Sequence, residues 1–228
     1  MNIINPEQLH RTLAHFNSKR LLPTMPTKDW QDNLANEYEF KLLEGQFLEQ
    51  LRQELAPDIG LNITDANEFI TWFESLQVHG FGQHHPLFDC LATTATHKQM
   101  RWFLTQEVAG EAGFDDLVAY TQVKLPVRAK LECARNYWDE MGRGKKGAMH
   151  GLLLERMVKL LELKPDINST VWPALALNNT MIGLALNRRF AYQAIGALGV
   201  IELTAPTRAA KVTAGMKRLG FHPHSYAY

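Results

Sequence analysis

The chain has 228 residues, of which 46% are hydrophobic and 21% are charged, a composition typical of a folded globular protein and not of a disordered one. Lys plus Arg and Asp plus Glu are balanced at 24 each, so no net charge favours binding to nucleic acid or to an anionic membrane. The 2 cysteines lie far apart in the sequence, which excludes a disulfide framework and a thiolate zinc site.

The N-terminal part of the chain is predicted to begin with two helices. Asn5 and Pro6 are a helix cap and a first-turn proline, and they predict a helix that ends near Arg20. A long amphipathic helix is predicted over residues 29–55, because apolar residues recur there at helical spacing. These apolar residues are Leu34, Tyr38, Leu42, Phe47, Leu48, Leu51 and Leu55.

Helical patterns continue to the end of the sequence. Thr64 and Asp65, with Glu68 as the returning acid, predict the cap of a helix over residues 69–78. Short β-branched runs at 121–125 and 200–204 are the only strand signals, so we predict one all-α domain. The further predicted helices cover residues 85–113 (as short helices), 114–124, 126–141, 150–163, 170–186, 188–203 and 206–219, the last one closed by Gly220.

The sequence predicts a cytoplasmic protein. The N-terminus lacks the basic flank and apolar run of a signal peptide. The longest apolar run, residues 194–201, is far too short to span a bilayer. We therefore expect neither a membrane nor a nucleic acid as a partner.

A glycine-rich segment, GRGKKG at residues 142–147, matches the pattern G-x-G-x-x-G. A dinucleotide fingerprint requires a strand before the first glycine, but the segment before it here is predicted to be helical, which disfavours nucleotide binding. The glycines instead indicate a turn between two helices. On one continuous helix Glu140 and His150 would point about 80° apart, whereas a turn between antiparallel helices lets them converge. A capping acid and a surface histidine are the alternative interpretation.

Two further carboxylates have apolar neighbours. Glu202 lies in GALGVIELTAP, where a charge is costly unless it is paired or metal-bound. Glu107 follows Trp102, Phe103 and Leu104, which we interpret as a buried helix face, although an exposed acid on an amphipathic helix remains an alternative. Three carboxylates and one imidazole on separate helices suit iron or manganese. A ferritin-like site is rejected, because it needs two Glu-x-x-His pairs and this chain has one.

Three segments together resemble the haem-oxygenase-like diiron oxidases, also known as iron-containing redox enzymes. The segments are QE ending at Glu107, NYWDEMGRGKKGAMH, and GALGVIE ending at Glu202. The resemblance extends from about Pro86 to the end of the chain. It implies a helical bundle of about seven core helices that binds two Fe(II) ions without haem and uses O2 as co-substrate.

The metal ligands that this resemblance implies are Glu107, Glu140, His150 and Glu202. Residues 83–228 would then form the metal-binding core, and residues 1–82 would form additional helices packed on it. The family takes further ligands from a last core helix with the pattern H-x-x-x-D-x-x-H, roughly 30 residues after the position of Glu202. Because the sequence stops at Tyr228, we expect the natural chain to continue past 228 with that helix.

Known members of the family carry out N-oxygenation of amines, oxidative C–C cleavage of fatty acids and oxidative rearrangement of amino acids, including conversion to a nitrile. Phe103 and Tyr137 each precede a predicted ligand by about one helical turn and favour a small, partly aromatic substrate. Asn136 and Leu198 complete the predicted substrate contacts. We therefore predict oxidation of an amino acid or its derivative, by nitrile formation or decarboxylation.

Several alternatives remain open at this stage. On the same scaffold the protein could be an N-oxygenase or a fatty-acid-type oxidative decarboxylase. A helical protein that binds a small molecule without catalysis would belong to another class. A haem enzyme would use His10 or His15 as its axial ligand. The sequence also leaves open an external electron donor and a homodimer.

Overall fold

The computed structural model describes residues 5–56, 63–110 and 113–227, and within them it contains ten α-helices and no strand. The predicted all-α fold class is confirmed. None of the described helices is both long enough and apolar enough to cross a bilayer. The helices are α1 (Pro6–Arg20), α2 (Trp30–Leu55), α3 (Ala66–His79), α4 (Pro86–Thr93), α5 (His97–Ala109), α6 (Phe114–Thr121), α7 (Val127–Glu140), α8 (His150–Leu160), α9 (Trp172–Leu186) and α10 (Ala191–Arg218).

Capping residues set the helix starts where the sequence predicted them. The Asn5 side chain accepts a hydrogen bond from the Glu7 backbone N–H and caps α1. Asp65 accepts bonds from two backbone N–H groups at the start of α3, and the Glu68 carboxylate accepts one in return from the Thr64 backbone. Residues 111 and 112, at the end of the predicted 85–113 segment, lie outside the described residues.

The last part of the chain departs from the prediction. Two helices were expected, over 188–203 and 206–219, but α10 is a single helix that runs through Pro206. Residues 188–190 form a 3-10 turn before it. A proline removes one helical hydrogen bond, but α10 packs against both α3 and α4, and these tertiary contacts hold the helix together across Pro206. The β-branched residues 200–204 accordingly lie inside a helix.

The core consists of two clusters of buried apolar side chains. The first joins α4, α5, α8 and the end of α10, and the second joins α6 and α9 with the first half of α10. Members of the first cluster include Leu91, Met100, Phe103, Leu104, Met157 and Met216, and members of the second are Leu117, Met181, Ile182 and Ala185. Trp102, which we expected on the buried face of α5, is instead 57% exposed. Consecutive residues of a helix point about 100° apart, so Trp102 and Phe103 need not be buried together.

The N-terminal helices pack on α9 and α10. Both α1 and α2 contact α9, where Asn17 donates a 2.8 Å hydrogen bond to Asn179 and Gly183 leaves room for Leu48. The amphipathic prediction for α2 holds only in part, because Leu34 and Tyr38 are exposed while Leu48 is buried. Leu48 packs beside Gly183 of α9, and Phe40 stacks on Phe16 of α1.

Candidate metal centre

Glu140 and His150 meet at the junction of α7 and α8. Glu140 is the last residue of α7 and His150 is the first residue of α8. The Glu140 Oε2 atom lies 2.6 Å from His150 Nδ1. The Glu140 side chain is buried, whereas the imidazole is half exposed. The predicted convergence of these two residues across the glycine-rich segment is therefore confirmed.

The backbone of the glycine-rich segment explains how ten residues bring the two side chains together. Gly142, Arg143 and Gly144 all have positive φ angles, of 61°, 53° and 77°. A Cβ atom on Gly142 would lie 2.5 Å from the carbonyl carbon of Ala148, which leaves no space for any side chain. The turn is closed by the Ala148 backbone N–H, which donates to the Lys145 carbonyl at 2.8 Å. Glycine is thus required at 142 for both conformation and space.

The basic residues of this segment lie on the surface. Arg143 forms an exposed ion pair of 2.6 Å with Asp139, one turn earlier in the chain. Lys145 and Lys146 are exposed as well. The residues before Gly142 form α7, so the strand that a dinucleotide site needs is replaced by a helix. The segment is a helix-to-helix turn, as the sequence indicated.

Two more carboxylates lie close enough to Glu140 to change its pKa. Burial raises the pKa of Glu140, and the negative charges of Glu202 on α10 and Asp115 on α6 raise it further, whereas His150 lowers it. The Asp115 carboxylate also lies near Gly151, where a Cβ atom would be 3.7 Å from Asp115 Oδ2. Sequence reasoning missed Asp115. The signal that could have indicated it is the acidic pair at 115–116, in the first turn of α6.

Glu202 is located differently from what its apolar sequence context suggested. We expected a buried charge, but Glu202 is exposed. Its helix is amphipathic around it, so the apolar neighbours in sequence point to other sides. Pro206 lies four residues later and has no N–H to donate to the Glu202 carbonyl, so the helix lacks one hydrogen bond at this residue. Glu202 remains close enough to raise the pKa of Glu140.

Glu107 stands apart from the other three predicted ligands. It lies in the last turn of α5, and burial raises its pKa while the positive charge of Arg208 opposes that rise. More than a third of its surface nevertheless remains accessible to solvent, so water screens the carboxylate and limits the effect of burial. Within the described residues, no group of three His, Cys, Asp or Glu side chains is arranged to share a metal ion.

The predicted substrate contacts fall in two different environments. Asn136 and Tyr137 are half-buried on α7, within about one turn of Glu140. Phe103 is buried in the first core cluster, edge-on to Phe88 at 6.2 Å between ring centroids. Leu198 packs against the second cluster. Their roles in substrate binding remain predictions.

The two histidines considered as haem ligands make protein contacts. His10 is buried, stacked on Trp172 at 5.7 Å and edge-on to Phe47 at 4.9 Å. His15 lies on the surface, where its Nε2 atom is 3.0 Å from Asn168 Oδ1. Both imidazoles therefore have a structural role in holding α1 to its neighbours.

The fold agrees with the comparison to known families. Residues 101–228 match the model of the family described as iron-containing redox enzymes. This match covers more than half of the chain and includes all four predicted ligands, and the chain therefore belongs to the iron-containing redox enzymes. It is an iron-dependent oxidoreductase. Comparison with curated proteins and with solved structures finds no match.

The donor atoms around Glu140 suit iron chemically. Carboxylate oxygens together with an imidazole nitrogen are the ligands that Fe(II) oxygenases use. The negative charges of Glu202 and Asp115 raise the pKa of Glu140, and a divalent cation would offset this repulsion. The donor types of Glu140 and His150 therefore suit an iron ion at the junction of α7 and α8, while the described residues bring no third ligand into place beside them.

Proposed function

We propose that this protein is a non-haem, O2-dependent diiron oxidase or oxygenase that acts on a small, amino-acid-derived substrate. The observation that carries the proposal is the 2.6 Å contact between Glu140 and His150, in a chain that belongs to the iron-containing redox enzymes. Glu140 and His150 would hold iron directly. Glu202 and Glu107 complete the proposed ligand set, and Asp115 adds negative charge beside Glu140.

The surroundings of the site support the choice of substrate. Tyr137 and Asn136 lie within about one turn of Glu140 and offer an aromatic face and an amide. The half-exposed imidazole of His150 leaves that side of the site accessible to a small molecule. Bound iron supplies the activation of O2, and an external electron donor supplies electrons beyond those that the substrate gives. The leading reactions are nitrile formation and oxidative decarboxylation.

The first experiment is anaerobic reconstitution with Fe(II), followed by metal analysis and O2-uptake measurements with aromatic amino acids. We expect two irons per chain and O2 consumption that depends on the amino acid. N-oxygenation of amines and C–C cleavage of fatty acids are the alternative reactions on this scaffold, and product analysis separates them. Iron at background level would contradict the proposal and leave a non-catalytic small-molecule-binding protein as the better account.

A further inference from the structure

A second polar site lies between α3, α4 and α10. A cavity of about 240 Å³ is formed between the end of α3, the turn that follows it, α4 and the second half of α10. Val78 and Phe88 form its apolar walls, and Arg208 and Lys211 are its cationic residues. A small cavity with an apolar wall and few charged groups is typical of a binding site for a small molecule.

The guanidinium of Arg208 is held in place from several sides. Its Nη2 atom donates a 3.3 Å hydrogen bond to Thr204 Oγ1, one turn earlier on α10. Its central carbon lies 5.9 Å from the centroid of the Phe88 ring. At Gly82, where φ is +81°, a Cβ atom would lie 3.2 Å from Arg208 Nη1, so the lack of a side chain makes room for the guanidinium. Arg208 is therefore oriented before any ligand binds.

The turn that closes the cavity is also fixed. The Gln83 side chain donates to the Thr204 carbonyl at 3.0 Å and accepts a hydrogen bond from the Thr207 hydroxyl at 2.8 Å. Both polar groups of this amide are thus used to attach the turn to α10. This wall of the cavity is consequently preformed, which lowers the entropic cost of binding a ligand.

The charges around the cavity leave one cation without a counterion. Lys211 is paired with Asp89 at 2.5 Å, which cancels its charge locally. Arg208 has no carboxylate within ion-pair distance among the described residues, although its charge acts on Glu107. A half-buried guanidinium without a counterion is costly to maintain, and a bound anion would offset that cost. A guanidinium that is in no ion pair, beside an apolar wall, matches a monoanion with an apolar tail.

We propose that this cavity binds a small-molecule carboxylate and that Arg208 receives the carboxylate group through paired hydrogen bonds. The guanidinium is suited to this, since its planar N–H groups match the two oxygens of a carboxylate. Arg208 also lies near Glu107, in the part of the chain that carries the proposed iron ligands. Taking this carboxylate to be that of the oxidised substrate rests on the proposed function, and Arg208 would then be a residue that determines substrate specificity.

The test compares hydrocinnamate with hydrocinnamyl alcohol, two probes of similar shape that differ in charge, by isothermal titration calorimetry on metal-free protein. Metal-free protein is used so that the carboxylate cannot bind to iron. We expect the acid to bind about tenfold to a hundredfold more tightly than the alcohol, the difference expected for a charged hydrogen bond. Arg208→Gln should abolish this difference, and Arg208→Lys should keep part of it.

The control is Arg135→Gln, which removes an exposed arginine that is paired only with Glu132 on its own helix and should leave the preference for the acid unchanged. Circular dichroism and the thermal midpoint check that each variant folds. Equal affinity for acid and alcohol, no measurable binding of the acid, unchanged binding by Arg208→Gln, or tighter binding of inorganic phosphate would each overturn the proposal. Iron content is measured in the same variants, so a failure of iron uptake in the wild type contradicts the proposed function separately.

Discussion

Substitution of Gly142 by alanine should destabilise the turn that joins Glu140 to His150. The residue has a φ of +61°, and a Cβ atom there would lie 2.5 Å from the carbonyl carbon of Ala148 and 2.7 Å from the Met149 backbone nitrogen. Backbone atoms cannot rotate aside as a side chain can, so the turn itself must shift. We therefore expect Gly142→Ala to lower both the free energy of unfolding and the affinity for iron.

The size of the effect follows from two contributions. A residue with a Cβ atom in the left-handed region costs about 1–2 kcal/mol. Forcing an extra methyl group into a packed site costs about 1–3 kcal/mol more. Alanine also reduces the entropy of the unfolded chain, which returns about 0.4–1 kcal/mol. The expected net loss for Gly142→Ala is about 1–5 kcal/mol by these figures.

The same segment provides two matched controls. Gly144 has a positive φ of 77°, but a Cβ atom there meets only the movable ring of Trp138, so Gly144→Ala should cost about 1 kcal/mol. Gly147 has nothing within 4 Å of its Cβ position, so Gly147→Ala should change stability by less than about 0.5 kcal/mol. Urea unfolding of the three variants, with anaerobic iron titration of each, measures the series. The reasoning is refuted if Gly142→Ala is as stable as Gly147→Ala.

Two further predictions concern the N-terminal helices. Arg20 and Glu44 form an ion pair with side chains only 10% and 5% exposed. Because Glu44→Ala leaves a buried charge without its partner, it should lower the free energy of unfolding in urea by about 3–5 kcal/mol. The double change Arg20→Met with Glu44→Leu should recover most of that stability. Burial lowers the pKa of His10 from 6.5, so the unfolded chain takes up a proton that the folded chain does not, and stability should fall as the pH drops below about 6.5. A thermal midpoint series from pH 7.5 to 5 checks this: His10→Gln should show a flatter dependence, and an identical slope would contradict it.

Local sequence signals predicted the helices and the contact between Glu140 and His150. Caps such as Asp65 act on backbone groups two or three residues away, so their effect can be read without knowledge of the fold. The glycine-rich segment is similarly local, because a turn between Glu140 and His150 needs positive φ angles that glycine adopts at little cost.

Other features depend on neighbours that are distant in sequence. The path of α10 through Pro206 is stabilised by packing on α3 and α4, which no local pattern contains. Glu202 was expected to be buried because its neighbours in sequence are apolar, yet the side of the helix on which it lies faces solvent. Asp115 and Arg208 become noticeable only when their electrostatic partners, Glu140 and Glu107, are known.

The central claim is that Glu140 and His150 hold iron, and iron content per chain after anaerobic reconstitution tests it most directly. Glu140→Ala and His150→Ala should each lose most of the iron while keeping the helical circular dichroism spectrum. The matched controls are Glu155→Ala and His79→Ala, which change an exposed acid on α8 and an exposed histidine on α3 and should bind iron like the wild type. Wild-type iron content in either Glu140→Ala or His150→Ala would contradict the account for that residue.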